Sequence, residues 1–245
     1  MFVLYGCSAL LIAADCAVIS LHIVWLAGLL SILCAVTVIF AVYMQACRST
    51  LSFSGGKLME MIHEFVLDHL NWDGHGTVLE IGCGTAALGI QCAQKYPKAS
   101  VVGIDYWGKA CNYAEERCEH NALAEGVSGR MRFMKGDIAH LPFADSTFDA
   151  AISNFASRKV KLQPDKRLVV KEALRVIKKG SPFVFHDMFE KKELYGDIQA
   201  FVRELRQEGV TELHYISHTE SLNFIPNYIK VPWILKNMGL LYGRR

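Results

Sequence analysis

The stretch Glu80-Ile81-Gly82-Cys83-Gly84-Thr85-Ala86-Ala87-Leu88-Gly89 decides how the rest of the chain is read. It follows a short apolar run, Thr77 to Ile81, and opens a segment with helical character from Ala87 to Lys95. Gly82 and Gly84 let the backbone turn tightly and approach a ligand with no Cβ in the way. A glycine loop between strand and helix suits a pyrophosphate as well as other nucleoside cofactors, so the glycines alone do not choose between them. The neighbouring Glu80 does. A carboxylate ending the first strand repels phosphates and favours a ligand that carries positive sulfonium and ammonium groups.

Working outward, Asp105 ends the next apolar run, Val101-Val102-Gly103-Ile104, 23 residues beyond Gly82. At that distance its carboxylate is placed to accept hydrogen bonds from both hydroxyls of a ribose, with Tyr106 beside it. Gly136-Asp137-Ile138 follows a third run, Met131 to Met134, and offers an acidic contact for an adenine amino group. A fourth run, Phe148 to Ser153, delivers Asn154 to its carboxyl end, where open α/β sheets bind ligands. Phe183 to Phe185 is a fifth strand, and Glu212 to Ser217 and Gly239 to Tyr242 are two more. Helices are expected over residues 87–95, 107–124, 165–179 and 193–208, the third stopped by Gly180 after Lys178 and Lys179. Runs alternating with helices predict a parallel sheet built of βαβ units.

The first 47 residues are of another kind. From Met1 to Cys47 the only formally charged side chain is Asp15, and all 26 Lys and Arg residues lie at Arg48 or beyond. A bilayer core takes about 20 apolar residues as a helix. The leader is long enough for a hairpin of two spans, Phe2 to Ile19 and Ile23 to Tyr43, turning near Ser20 to His22, or for one long tilted span after a re-entrant start. Arg48 and Lys57 after the last span place the following domain in the cytoplasm, at the cell membrane. The absence of a basic n-region argues against a cleaved signal peptide. Residues 48–76 read as a linker and an amphipathic helix, the latter carrying Leu58, Met61, Ile62, Phe65 and Val66 on one face. Residues 77–245 form the cofactor-binding domain. The net charge of +2 gives no nucleic-acid footprint. The eight cysteines show no CxxC spacing, read as reduced, and suggest no metal site.

Taken together, these residues resemble the class I S-adenosylmethionine (SAM)-dependent methyltransferases, particularly the ubiquinone/menaquinone-type branch, over about residues 53–245. The resemblance implies a Rossmann-like α/β fold: a seven-stranded, mostly parallel sheet with helices on both faces and an antiparallel last strand, here preceded by a transmembrane helical segment. It implies SAM as cofactor, S-adenosylhomocysteine as product, and a cofactor site of Glu80, Gly82, Cys83, Gly84, Thr85, Asp105, Tyr106, Asp137, Ile138 and Asn154. Two departures stand out. Ala86 replaces a frequent third glycine, and the segment Asn154 to Lys159 lacks the His-Glu pair common in this branch.

Methyl transfer needs positioning and exclusion of water more than it needs a base, so no catalytic residue is assigned. His186 and Asp187, ending the fifth strand, are the candidates for a general base, though a histidine satisfied at a strand end is the commoner case. Tyr195, Tyr215, Tyr228 and Trp233 are candidates to line an apolar acceptor pocket or to pack in the core. The membrane segment points to a small or lipid-like acceptor held in the bilayer. The oligomeric state stays open. A nucleotide-dependent oxidoreductase is disfavoured by Glu80 and by Ala87 standing three residues after Gly84. A non-catalytic SAM-binding membrane module is a third reading.

Overall fold

The computed structural model describes residues 6–14, 24–52, 55–107, 114–156, 160 and 163–245. Asp15, the expected hairpin turn at 20–22, Cys16, Cys111 and residues 157–159 of the departure after Asn154 lie outside them. The chain divides into two compact units, Met1–Glu60 and Met61–Arg245.

In the first unit, residues 6–14 are helical and α1 runs Val24–Leu51, past Tyr43 and through Arg48. α1 is long and apolar enough to cross a membrane. Its surface is apolar, with Val24, Trp25, Ile32 and Ile39 exposed. The two helical stretches meet at a polar contact: Ser8 Oγ donates to Thr37 Oγ1 at 3.2 Å, and Cys34 Sγ approaches the Ser8 carbonyl at 3.8 Å.

In the second unit the chain alternates strand and helix: β1 Gly76–Ile81, α3 Ala87–Lys95, β2 Ala99–Asp105, α4 Ala114–Ala124, β3 Met131–Lys135, β4 Ala150–Asn154, α5 Lys166–Arg175, β5 Pro182–Asp187, α6 Lys192–Tyr195, α7 Ile198–Gln207, β6 Thr211–Ser217 and β7 Gly239–Arg244. Helix α2, Leu58–Asp68, precedes β1. The sheet has the order β3-β2-β1-β4-β5-β7-β6, parallel except for β7, which is antiparallel to both its neighbours. This is the expected seven-stranded doubly wound sheet.

Period-two alternation along the strands assigns each side chain to a face. Leu79, Ile81, Phe183 and Phe185 pack against α5, α6 and α7 through Val169, Tyr195 and Phe201. Val78, Val101, Ile152 and Val184 pack on the other face with α2, α3 and α4 through Val66, Leu67, Leu88 and Cys118. Glu80 shares the face of Val78, so its carboxylate lies beneath α3. The six described cysteines, Cys7, Cys34, Cys47, Cys83, Cys92 and Cys118, are free thiols.

Three expected helices change their bounds. The 193–208 segment breaks at Gly196, which takes φ +65°, and restarts with Asp197 accepting from the Gln199 and Ala200 amides. The 165–179 helix begins on the Asp165 cap but stops at Arg175. The reason is that Phe148 pairs with Ile177 in a parallel bridge and the Val176 carbonyl accepts from Thr147 and Phe148. Gly180 therefore turns the chain into β5 rather than ending a helix. The 107–124 helix is described only from Ala114, and Trp107, at φ +37°, is not helical.

Gly89 in α3 has a structural reason to lack a side chain: an added Cβ would stand 2.3 Å from Glu80 Oε2 and 3.2 Å from Met131 Cε. In an exposed helix, Gly→Ala gains about 1 kcal/mol. Here the carboxylate is walled in and cannot swing away, so Gly89→Ala is expected to reverse that sign and cost about 1–3 kcal/mol through overpacking. Urea denaturation of the variant, with an unchanged slope and a lower midpoint, checks this.

Candidate cofactor site

The loop after β1 is stitched onto the end of β2. The amides of Gly82 and Cys83 both donate to the Ile104 carbonyl, at 2.8 and 3.2 Å. One residue on, Asp105 Oδ2 accepts from the Gly84 amide at 2.9 Å, and its Oδ1 accepts from the Trp107 amide at 3.2 Å. The Gly84 carbonyl is held in turn by the Trp107 indole N–H at 2.9 Å and by Cys118 Sγ at 3.3 Å. Asn121 Nδ2 donates to the Thr85 carbonyl at 3.0 Å. The two neighbouring turns of α4 that carry Cys118 and Asn121 thus steady the loop from the side.

Glycine is required at Gly82, where φ is +71° and an added Cβ would lie 2.3 Å from the Ala156 methyl. Gly84 also has a positive φ, but a Cβ there would meet nothing within 4 Å among the described residues. Ala86 adopts the left-handed conformation that a third glycine would take freely, at φ 67°, and leaves α3 with no side-chain cap on its N-terminus. A non-glycine residue there costs about 1–2 kcal/mol. The substitution is tolerated and still strained.

Glu80 is 3% exposed. Burial pushes its carboxyl well above the usual range, and the nearby Cys118 and Asp105 push it further, against the opposing pull of the Gly89 amide. Its Oε2 makes no hydrogen bond of good geometry among the described residues. The side chain thus stands behind the loop, under the first turn of α3, rather than projecting from it. Cys83 is also buried, and its hydrogen bond to Cys118, together with burial, keeps the thiol protonated.

The other expected residues share the carboxyl rim of the sheet. Tyr106 is exposed. Asp137 Oδ1 caps its own turn by accepting from the Ala139 amide at 2.9 Å, while Ile138 is buried in the core. Asn154 Oδ1 lies 2.8 Å from His186 Nδ1, whose Nε2 lies 2.8 Å from Thr219 Oγ1. The order Asn154 acceptor, His186 donor, Thr219 hydroxyl donor satisfies a neutral imidazole.

His186 does not have the character of a general base. Burial, with a contribution from His63, lowers it to about 3, and both ring nitrogens are occupied. Asp187 is buried beside it, its Oδ1 accepting from the Met188 amide at 2.7 Å. A narrow cavity of about 10 Å³ lined by Ser153, His186, Asp187 and Phe189 opens on the α5 face. Tyr195 is fully buried in the core, and Tyr215 donates to Glu190 Oε1 at 2.7 Å. Tyr228 and Trp233, by contrast, are exposed, so neither packs in the core nor walls a closed pocket. Trp107, Cys118, Asn121 and His63 were missed by motif reading. Only the one-turn spacing of Cys118 and Asn121 on a helix hints at a shared face.

The chain belongs to the methyltransferase-domain family, whose model matches residues 73–223, and with it to the class I SAM-dependent methyltransferases. The oxidoreductase reading is thereby set aside. Among curated proteins, it is 30% identical over 176 residues to a sterol 4-C-methyltransferase of Caenorhabditis elegans, covering 69% of this chain and 50% of that protein. It is 33% identical over 101 residues to a demethylmenaquinone methyltransferase of Lactobacillus johnsonii, covering 41% of this chain and 38% of that one. The chain spans half or less of the length of these relatives. Its fold is similar to the structure of a geranyl diphosphate C-methyltransferase from Streptomyces coelicolor, with a TM-score of 0.57 at 13% identity, covering 78% of this chain and 81% of that one.

The buried histidines generate a pH prediction. His63 is lowered to about 4 and His186 to about 3, from a usual 6.5. Between those values and 6.5 the unfolded chain binds more protons than the folded one, so stability is complete above pH 6.5 and drains away as pH falls through that window. His63→Leu is expected to flatten the acid limb of Tm against pH and leave His186 as the remaining contributor. Differential scanning fluorimetry from pH 7.5 to 4 reads this, and an unchanged acid limb would rule it out.

Proposed function

We propose that the chain is a membrane-anchored methyltransferase that moves the methyl group of SAM to a small lipophilic acceptor, leaving S-adenosylhomocysteine. The observation that carries this reading is the loop itself: a glycine turn stitched to β2, with no described residue over Gly84, an uncapped helix behind it, and two carboxyl groups alongside. These residues fit SAM. The uncapped α3 N-terminus suits the carboxylate of the methionine moiety. Asp105 commits one lone pair of each oxygen to the backbone and keeps others for a ribose, since a carboxylate has about four acceptor sites. Ile138 and Asp137 offer an apolar wall and an acceptor for the adenine. SAM supplies an electrophilic methyl on a cationic sulfur.

The chain's own contribution is then positioning and dryness. With His186 neutral and saturated, the imidazole is no proton acceptor, and acceleration rests on orientation in a water-poor cleft. The relatives are sterol and demethylmenaquinone methyltransferases by name, which favours a lipophilic acceptor. Anchoring is supported by α1 and by its contact with residues 6–14, which is the contact a helical hairpin would make. With Arg48 at the exit of α1, the domain faces the cytoplasm.

Glu80 is given the role of counter-charge. A bound cation stabilises its ionised form, so SAM affinity should rise with pH as the raised carboxyl ionises. Glu80→Gln is expected to weaken SAM about tenfold, equivalent to about 1.4 kcal/mol, and to abolish that pH dependence. Tm at neutral pH should be kept or raised, because a buried ionisable group is replaced by a neutral one of the same shape. Calorimetric titration with SAM and S-adenosylhomocysteine, plus transfer of labelled methyl to lipid and aqueous extracts, tests both levels. Absence of heat with either nucleoside would end the reading.

A further inference from the structure

The connector between β6 and β7, residues 218–238, stands on the same rim as the cofactor loop. It leaves β6 at Ser217 and returns at Gly239, which are paired with each other, and Gly239 is also paired with Asp187 at the end of β5. Its inner side is tightly fixed. Thr219 bonds His186, and the Glu220 carboxylate accepts from the Asn237 and Met238 amides at 3.1 and 3.0 Å. Ile225, Ile229 and Leu235 are buried.

Its outer side carries aromatic and basic side chains. Trp233 is 64% exposed and Tyr228 45% exposed, with Lys230 between them and Lys236 beyond. Glu220 is the segment's one acid and is consumed by the backbone, so every formal charge the segment presents outward is positive. The Glu190 amide donates to the Asn237 carbonyl at 3.1 Å, which sets Lys191 and Lys192 beside it. A hydrogen-bonded scaffold on the carboxyl rim of the sheet thus holds two aromatic side chains out in water, in a segment whose outward formal charges are lysines. Tryptophan and tyrosine have an apolar body with a polar edge and suit the headgroup layer of a bilayer, while lysines suit lipid phosphates.

We infer that this connector is a second membrane contact, in which Trp233 and Tyr228 enter the headgroup layer of an anionic bilayer and Lys230, Lys236, Lys191 and Lys192 meet its phosphates. The rim around Asn154 is thereby turned to the lipid surface, and a lipophilic acceptor reaches it without crossing water. The inference rests on the reading of a membrane-anchored enzyme, and its test separates the two.

The full-length chain is placed in nanodiscs of phosphatidylcholine and phosphatidylserine, and tryptophan quenching by headgroup- and acyl-spin-labelled lipid is measured. The Trp25→Phe chain reports the connector, the Trp233→Phe chain reports α1, and the doubly substituted chain sets the background of Trp72 and Trp107. We expect headgroup-level quenching in the Trp25→Phe chain at least twofold above background, reduced when Lys230 and Lys236 are changed to Glu or when phosphatidylserine is omitted. Quenching equal to background overturns the contact, and so does quenching indifferent to lipid charge. If the Trp233→Phe chain is quenched at either level, the anchor stands while the contact falls; if it too matches background, the anchoring reading fails. Concentration-dependent protection of Trp233 from acrylamide without lipid would assign the surface to a second copy instead.

Discussion

Burying Glu80 between β1 and the first turn of α3 constrains nearly everything near the site. A carboxyl without water is costly in its charged form, and its pKa rises for that reason. The fold accommodates it by removing a side chain from Gly89, so that α3 can settle directly over Oε2. That settling brings α3 close enough for Ala86 to turn through the left-handed region and for the loop to reach the Ile104 carbonyl. The same group that makes the packing expensive is an ionisable carboxyl held directly behind the loop. Replacing it by an apolar residue would ease folding, since no buried ionisable group would then need accommodating.

The loop is held from three directions, and each holder does two things at once. Asp105 fixes Gly84 while keeping lone pairs free; Trp107 and Cys118 fix its carbonyl while closing the side of the cleft. Such double use reduces the motion left for a ligand to freeze, which is how a preformed site gains affinity. It also explains why the strained Ala86 persists: the surrounding bonds over-determine its conformation.

Most of the architecture was readable from alternation and punctuation. The strand positions, the sheet type and the placement of Asp105 and Asn154 on one rim follow from apolar runs ended by polar residues. The misreadings have specific causes. The break at Gly196 sits inside an otherwise helical pattern, where a glycine is tolerated as often as it terminates. The early end of α5 depends on Phe148 pairing with Ile177, a contact between residues far apart in sequence. Its position at the strand end sets Glu80 beside the loop, which is what the charge argument uses. The parity of the strand, shared with Val78, sends its side chain under α3. Trp107 and His63 carry no motif, and their roles arise only from tertiary proximity.

Hydrogen-bond saturation at the rim separates scaffold from chemistry. His186, at the end of β5, is clamped by Asn154 on one nitrogen and Thr219 on the other. Freeing it would require moving both β4's terminal residue and the connector that follows β6. The imidazole therefore acts as a strut joining the cofactor side of the rim to the connector side. A strut that must stay neutral ties the integrity of this rim to pH: below about 6.5 the unfolded chain takes up the proton that the folded imidazole refuses, and the join loosens together with the fold.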